Sequence, residues 1–322
     1  MKQNKLVSNL ASLILLVIFL GAFFMISLPD KQTFDWTPIV ESRQSPIPEL
    51  WEHQGIYIEL NNQHQLVVAQ DKLIYIGTDS PENEPFHVNA LDKSTGTKIW
   101  QYGTGDENCL ATSASLIFVG GVGKVDALNL DDGSIVWTTN LPLTRSVTKL
   151  LVRDNILYVD TVSANHFLLE IESGKILQSI SYPNDNVPIW SDHQMNFVLE
   201  GNIMYFQKQF KFPDSETELT AIDNLTDTRL WSVNIPSISR ITANSFGAYL
   251  LTLDGKLVKF DPLSGDKTEI IQFDPAPILR HYTEEGTAWE LGYHVAVDAS
   301  NQLIFVYFED STQLFAYLLP QE

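Results

Sequence analysis

Residues 88–100 read VNALDKSTGTKIW and residues 125–137 read VDALNLDDGSIVW, so the second stretch is a copy of the first. Residues 219–231 (LTAIDNLTDTRLW) repeat the pattern, and residues 257–269 (LVKFDPLSGDKTE) and 166–178 (HFLLEIESGKILQ) are weaker copies. In each copy an alternating apolar run meets a turn and then a second run, which is often closed by tryptophan. Period-two alternation on both sides of such a turn predicts a pair of antiparallel strands.

The turn of the repeat is specified by two kinds of residue. Asp92 and its counterparts Asn129, Asp223 and Asp261 begin the turn, where their side chains can accept hydrogen bonds from turn amides. A glycine follows four positions later, where a backbone with positive φ is expected. These glycines are Gly96, Gly133, Gly174 and Gly265, and Asp227 takes the place in the remaining copy.

Two more strand-like runs precede each copy, so the repeat unit has four short strands. Four antiparallel strands repeated around a ring describe a β-propeller blade. The spacing of the copies predicts six blades, and a degenerate blade within residues 275–295 would make seven. The last unit reaches the end of the chain without its closing strand, whereas Glu49-Leu50-Trp51 matches Lys98-Ile99-Trp100. We therefore expect the N-terminal strand to complete the last blade and close the ring.

The repeats resemble those of the pyrroloquinoline-quinone-like (PQQ-like) β-propeller family. The signature of that family is a small residue, an apolar residue and Asp, followed by Thr-Gly and Trp. It stands here as Ala90-Leu91-Asp92, Thr95-Gly96 and Trp100, and the resemblance covers about residues 49–322. It implies an all-β fold of four-stranded antiparallel blades. In the family the tryptophan docks against a neighbouring blade, which implies a structural role for Trp51, Trp100, Trp137 and Trp231.

An uncharged apolar stretch at residues 10–28 precedes the repeats. As a helix it would be roughly 28 Å long, enough to cross a bilayer core of about 30 Å. Lys2 and Lys5 precede it and place the N-terminus in the cytoplasm. We expect a single-pass cell-membrane protein with an extracytoplasmic propeller, although a cleaved signal peptide or a buried helix is an alternative. The predicted organisation is a cytoplasmic stub at 1–9, a transmembrane signal anchor at 10–28, a Pro-rich spacer at 29–48 and a propeller at 49–322.

The charge and cysteine content exclude several functions. With 20 basic and 40 acidic residues the net charge is −20, which would repel a phosphate backbone and argues against nucleic-acid binding. Cys109 is the single cysteine, so neither an intramolecular disulfide nor a multi-cysteine zinc site can form. The family that these repeats resemble includes quinone-dependent dehydrogenases, in which a vicinal disulfide packs against the cofactor. We therefore expect no cofactor, no bound metal and no catalytic residues.

Two connections are longer than the repeat requires, at residues 179–196 and 274–293. Long loops on a rigid scaffold often carry binding residues. Aromatic residues outside the repeat register lie in both, which makes these loops a candidate partner-binding rim. The rim consists of Tyr182, Trp190, His193, His281, Tyr282 and Trp289. The alternative is that the loops cap the ring and bury their own aromatic side chains.

The sequence favours a membrane-anchored, extracytoplasmic propeller that binds or scaffolds a protein or glycan partner without catalysis. The alternative function is that of a carbohydrate-active enzyme that uses the acidic and aromatic residues of the 281–290 loop. Glu284 and Glu285 lie close to His281 there, and carboxylate pairs perform acid–base work in glycosidases.

Overall fold

The computed structural model describes residues 45–58, 66–79, 85–103, 105–142, 146–162, 165–181, 195–208, 216–276, 293–298, 300 and 302–319. Their regular structure consists of strands arranged in six antiparallel sheets, which are the six blades of a β-propeller. Within these residues no helix has the length and apolar character needed to cross a membrane. The predicted anchor at 10–28 lies outside the described residues.

The strands follow one another blade by blade, except that the first strand belongs to the last blade. Blade 6 is completed by β1 (Glu49–Gln54). Blade 1 contains β2 (Tyr57–Ile58), β3 (Leu66–Ala69), β4 (Lys72–Thr78), β5 (His87–Asp92) and β6 (Lys98–Tyr102). Blade 2 contains β7 (Cys109–Thr112), β8 (Leu116–Gly120), β9 (Lys124–Asn129) and β10 (Ile135–Asn140). Blade 3 contains β11 (Val147–Arg153), β12 (Ile156–Thr161), β13 (Asn165–Glu170) and β14 (Ile176–Ser181).

The remaining blades have the same four-stranded form. Blade 4 contains β15 (Met195–Glu200), β16 (Ile203–Lys208), β17 (Glu216–Asp223) and β18 (Thr228–Pro236). Blade 5 contains β19 (Thr242–Asn244), β20 (Gly247–Leu251), β21 (Lys256–Phe260) and β22 (Lys267–Gln272). Blade 6 contains β23 (Tyr293–Val297), β24 (Leu303–Phe308) and β25 (Gln313–Leu318) in addition to β1. In blade 1, β2 and β3 both pair with β4, so the first strand of that blade is formed in two pieces.

The ring is closed by pairing between the two ends of the chain, as expected from the match between Glu49-Leu50-Trp51 and the closing strands of other units. β1 pairs antiparallel with β25, and Trp51 lies opposite Ala316. Trp100 lies opposite Ala90 in the same way in blade 1. The register therefore places β1 as the fourth strand of blade 6, where it covers the edge of β25.

The hydrophobic core lies between successive blades. Each of the five buried clusters combines residues of two neighbouring sheets, for example Phe118 of blade 2 with Phe167 of blade 3. Because both faces of a blade pack against neighbours, its inner strands are apolar on both sides, as in β24 (LIFVYF), where all six residues are buried. The packing thus joins neighbouring sheets of the ring.

Among the described residues, a tryptophan joins four of the six pairs of neighbouring blades. The Nε1 group of Trp100 donates a hydrogen bond to the carbonyl oxygen of Leu130 in the next blade, at 3.0 Å. Its indole covers Gly133, which has a φ of +71° and on which a Cβ would lie 2.8 Å from the ring. The same contact is made by Trp137 with Ile171 and Gly174, by Trp231 with Pro262 and Gly265, and by Trp51 with Lys93 and Gly96.

The antiparallel order of the strands gives the ring two different faces. Turns between first and second strands, and between third and fourth strands, lie on one face, which we call the turn face. Connections between second and third strands, and those that lead from one blade to the next, lie on the opposite face, which we call the loop face.

Candidate functional site

The predicted partner-binding rim lies outside the described residues, and its six members (Tyr182, Trp190, His193, His281, Tyr282 and Trp289) therefore remain a prediction. The strands on either side are described. β14 ends and β15 begins at the loop face, and β22 and β23 do the same. Both stretches are thus attached to the same face of the ring.

The two stretches follow the two fourth strands that lack the repeated tryptophan. Gln178 stands at that position in β14 and is exposed. Glu269 stands there in β22, where its carboxylate accepts a hydrogen bond from Lys256 Nζ at 3.1 Å. In the part of the chain that the structure describes, the junctions after blades 3 and 5 therefore have no such indole contact, and the chain makes its longest connections there.

Large apolar side chains are exposed on the turn face of blades 4 and 5. Leu225 and Leu263 lie in the turns between third and fourth strands, with 72% and 70% of their surface exposed. Phe246 lies in the turn between the first and second strands of blade 5 and is 49% exposed. We call these three residues the apolar turn patch. Isolated exposed apolar residues are common, but these lie on one face of neighbouring blades.

The fold itself does not require apolar residues in the turns of the patch. The turn position of Leu225 and Leu263 is occupied by Ser94, Asp131 and Glu172 in blades 1, 2 and 3. In all of these turns the first residue is Asx or Glu, and the Asp261 carboxylate accepts amide hydrogen bonds from Leu263 and Ser264 at 2.9 and 2.8 Å. The turn is thus held by its first residue, which leaves the exposed position free to serve another purpose.

A cavity of about 230 Å³ lies among the first strands of the blades. β3 contacts β7 and β23, and β19 contacts β15 and β23, so these strands surround the axis of the ring. Segments of β3, β15, β19 and β23 line the cavity with Thr112 of β7, and their side chains are mostly aliphatic. Two basic side chains interrupt this apolar wall, those of Arg240 and His294.

The backbone beside the cavity is held in place by a buried amide. Gln207 is fully buried in β16, and its Nε2 group donates to the carbonyl oxygen of Ser239 at 2.8 Å. Its Oε1 atom accepts a hydrogen bond from the amide of Ile241, also at 2.8 Å. Ser239 also forms a parallel bridge with Tyr293. Arg240 and His294 each follow one of the bridged residues, so they lie side by side at the cavity wall.

The cavity has one positive charge at neutral pH. Burial lowers the pKa of Arg240 to about 10, so its guanidinium remains protonated. Burial, and then the charge of Arg240, lower the pKa of His294 to about 3, so the imidazole is neutral. Within the described part of the chain, Arg240 Nη1 and His294 Nε2 are buried and have no hydrogen-bond partner.

The described residues contain no group of three or more His, Cys, Asp or Glu side chains placed to hold a metal ion. Cys109 is fully buried in β7, where it packs against Val147 of the next blade. The 281–290 loop of the alternative enzyme hypothesis lies outside the described residues.

The repeat pattern of the sequence does not point to the apolar turn patch or to the two basic residues of the cavity. Alignment of the copies could have revealed the patch, because Leu225 and Leu263 stand where the other copies have polar residues. The sequence indicates the two basic residues of the cavity less clearly, since a basic residue beside an apolar strand is usually solvent-exposed. Arg240 and His294 lie close together because Ser239 pairs with Tyr293, and this pairing joins segments that are distant in sequence.

Comparison with known proteins identifies related sequences and folds. The model of the family described as outer membrane protein assembly factor BamB matches residues 84–248 and, in a second register, 121–306. Together these matches span more than half of the chain. No curated protein matches its sequence.

Two solved structures show the extent of the similarity in fold. BamB from Moraxella catarrhalis is 15% identical with a TM-score of 0.48, over 86% of this chain and 98% of that one. A chain of the mitotic checkpoint complex is 13% identical with a TM-score of 0.55, over 91% of this chain and 95% of that one. At such low identity the second likeness shows a shared propeller fold and nothing more.

Proposed function

Because this chain belongs to the PQQ-like β-propeller family, through the family model described as outer membrane protein assembly factor BamB, we propose that it is a non-catalytic module that binds a partner protein. The apolar turn patch is the observation that carries this proposal. A partner would bury the exposed side chains of Leu225, Phe246 and Leu263 on the turn face.

The asymmetry of the ring supports this assignment. Blades 1, 2 and 3 present Ser94, Asp131 and Glu172 at the turn position where blades 4 and 5 present leucine. Exposed apolar surface is unfavourable in water unless another surface covers it, and exposed apolar residues gathered on one face can mark a protein interaction site. The description of the matched family names a protein assembly factor, which is a second reason to expect a protein partner.

We also propose that the propeller is held outside the cytoplasm by residues 10–28. The apolar character of that stretch and the position of Lys2 and Lys5 support this orientation. The acidic propeller would be repelled by anionic headgroups. The 29–48 spacer, with four prolines, would then keep the ring away from the bilayer surface.

The test compares partner binding by two double variants of the full-length protein in cells. In Leu225→Glu/Leu263→Glu, charge is placed on the turn patch. In the matched control, Val136→Glu/Leu177→Glu, charge is placed on two outer-strand residues that are each 50% exposed. After in-cell cross-linking and solubilisation, quantitative mass spectrometry measures each co-purified protein relative to the propeller.

We expect one stoichiometric partner with the wild type and the control, and at least tenfold less of it with the turn-patch variant. Equal recovery with both variants would show that the partner, if it binds, uses another surface such as the predicted rim. Binding to a glycan array without a stoichiometric protein would contradict the proposal of a protein partner.

A further inference from the structure

We propose that the central cavity is a binding site for a small carboxylate, which would pair with the guanidinium of Arg240. This site is separate from the apolar turn patch, and the proposal does not depend on a protein partner.

The first argument is the unpaired charge. Arg240 forms no ion pair within the described part of the chain, and its Nη1 atom is buried without a hydrogen-bond partner. Other cations with low exposure have carboxylate partners, such as Lys72 with Asp71 at 2.8 Å and Lys93 with Asp298 at 3.1 Å. Arg240 as a whole is only partly buried, but its Nη1 atom is shielded from solvent without a partner, which is unfavourable and which an anionic ligand would relieve.

The second argument is that the cationic group is placed on a rigid segment. Gln207 bonds to Ser239 on one side of Arg240 and to Ile241 on the other, each at 2.8 Å. The amide of Leu251 donates to Ser239 Oγ at 2.8 Å, which ties the same segment to blade 5. Because these contacts are made within the protein, a ligand would not have to order the backbone in order to bind.

The third argument concerns the kind of anion. A guanidinium pairs with a carboxylate through two parallel N–H···O bonds. His294 is neutral and only 7% exposed, and its Nε2 atom has no hydrogen-bond partner within the described chain. In the Nε2–H tautomer it would donate one further bond. One cation and one neutral donor match a monoanion better than a phosphate dianion.

The cavity walls and size restrict the rest of the ligand. Val67, Ile241 and Val295 are among the aliphatic residues that line the cavity, and none of the described lining residues is acidic. The volume of about 230 Å³ is small in comparison with typical ligand pockets of about 300–1,000 Å³. We therefore expect a carboxylate with a short aliphatic body.

The test measures binding of defined probes to the full-length protein in detergent by isothermal titration calorimetry. The probes are butanoate, its neutral analogue butanamide, its cationic analogue butylammonium, and inorganic phosphate. We expect butanoate to bind at least tenfold more tightly than any of the others. Absence of butanoate binding, or tighter binding of phosphate or butanamide, would overturn the proposal.

Two arginine variants provide the matched comparison. Arg240→Met should weaken butanoate binding at least tenfold, whereas Arg229→Met, which removes an exposed arginine of β18, should leave it unchanged. Without ligand, Arg240→Met should melt at or above the temperature of the wild type, because it removes a partly buried charge that forms no ion pair within the described chain. Unfolding of this variant would contradict the proposal, since it would mean that Arg240 serves the fold rather than a ligand.

Discussion

At the level of the single residue, Gly133 and Trp100 form the contact that joins the first blade to the second. Gly133 has a φ of +71°, and a Cβ there would lie 2.8 Å from the indole. Gly201 has a φ of +56° and nothing within 4 Å of such a Cβ. Both positions disfavour alanine through the backbone, but only the first would also crowd a buried ring.

We therefore expect Gly133→Ala to lower the free energy of unfolding by about 1–3 kcal/mol more than Gly201→Ala, which is the usual cost of overpacking. Urea denaturation of the two variants measures the difference. Equal destabilisation would mean that the indole moves aside at no cost, and that the contact does not constrain the junction.

The pH dependence of stability can be traced to another junction residue, Asp298. Burial raises the pKa of its carboxyl. Hydrogen bonds from Ser300, Leu303, Gln302 and Lys93 lower that pKa by more, so the net shift is downward. A lowered pKa in the folded state stabilises the protein above the unfolded value near 3.8, and this contribution is lost as the pH falls through the folded value.

Asp298→Asn should consequently reduce stability at pH 7 and flatten its decline in acid below about pH 4. Melting temperatures between pH 7 and pH 2 test this, with the exposed Asp154→Asn as the control for removal of one charge. The interpretation would be wrong if Asp298→Asn and the control changed the profile to the same extent.

At the level of the element, strand β1 determines whether the ring is closed. Trp51 Nε1 donates to the Lys93 carbonyl oxygen at 3.0 Å, and His53 Nε2 lies 2.7 Å from the carbonyl oxygen of Gly96. Loss of a large buried aromatic side chain costs about 3–5 kcal/mol. Trp51 is partly buried whereas Trp100 is buried, so we expect Trp51→Ala to lower the melting temperature clearly, but somewhat less than Trp100→Ala.

Deletion of residues 1–54 should destabilise or aggregate the protein, because it removes β1 and exposes the edge of β25. Deletion of residues 1–45 keeps β1 and should leave the melting temperature close to that of the wild type. Identical melting of the two truncated proteins would show that β1 does not contribute to the closure.

The same strand shows how far the sequence determines the fold. The match of Glu49-Leu50-Trp51 to other closing strands was sufficient to predict the pairing with β25, because a repeat fixes register by its tryptophan. The division of the first strand of blade 1 into β2 and β3 has no counterpart in the other copies and was not predicted. The cavity residues were missed for a related reason, since a repeat pattern describes what blades share and Arg240 and His294 are specific to two of them.

At the level of the whole molecule, the proposed orientation in the membrane can be tested with a reporter fused after Glu322. We expect the reporter to be active outside the cytoplasm, because Lys2 and Lys5 favour a cytoplasmic N-terminus before the apolar stretch. Activity inside the cytoplasm would contradict the orientation. Intact-mass spectrometry of the purified protein should find the N-terminal segment retained, whereas a start near Pro29 would indicate cleavage.

Independence from quinone is the second expectation for the whole molecule. Cys109 is the single cysteine and is buried between blades 2 and 3, so no vicinal disulfide is present to contact such a cofactor. The purified protein, mixed with pyrroloquinoline quinone and calcium, should show neither quinone absorbance after gel filtration nor dehydrogenase activity. Stoichiometric retention of the quinone would contradict this expectation.

The pairing of β1 with β25 also has a consequence for biosynthesis. Trp51 is translated long before Ala316, which lies opposite it in the sheet. At about 5–20 residues per second, the nascent β1 waits on the order of tens of seconds for its partner strand. Throughout that interval the emerging chain can stack its first five blades but cannot complete the circle. A factor that shields β1 until β25 emerges would therefore assist the closure of the ring.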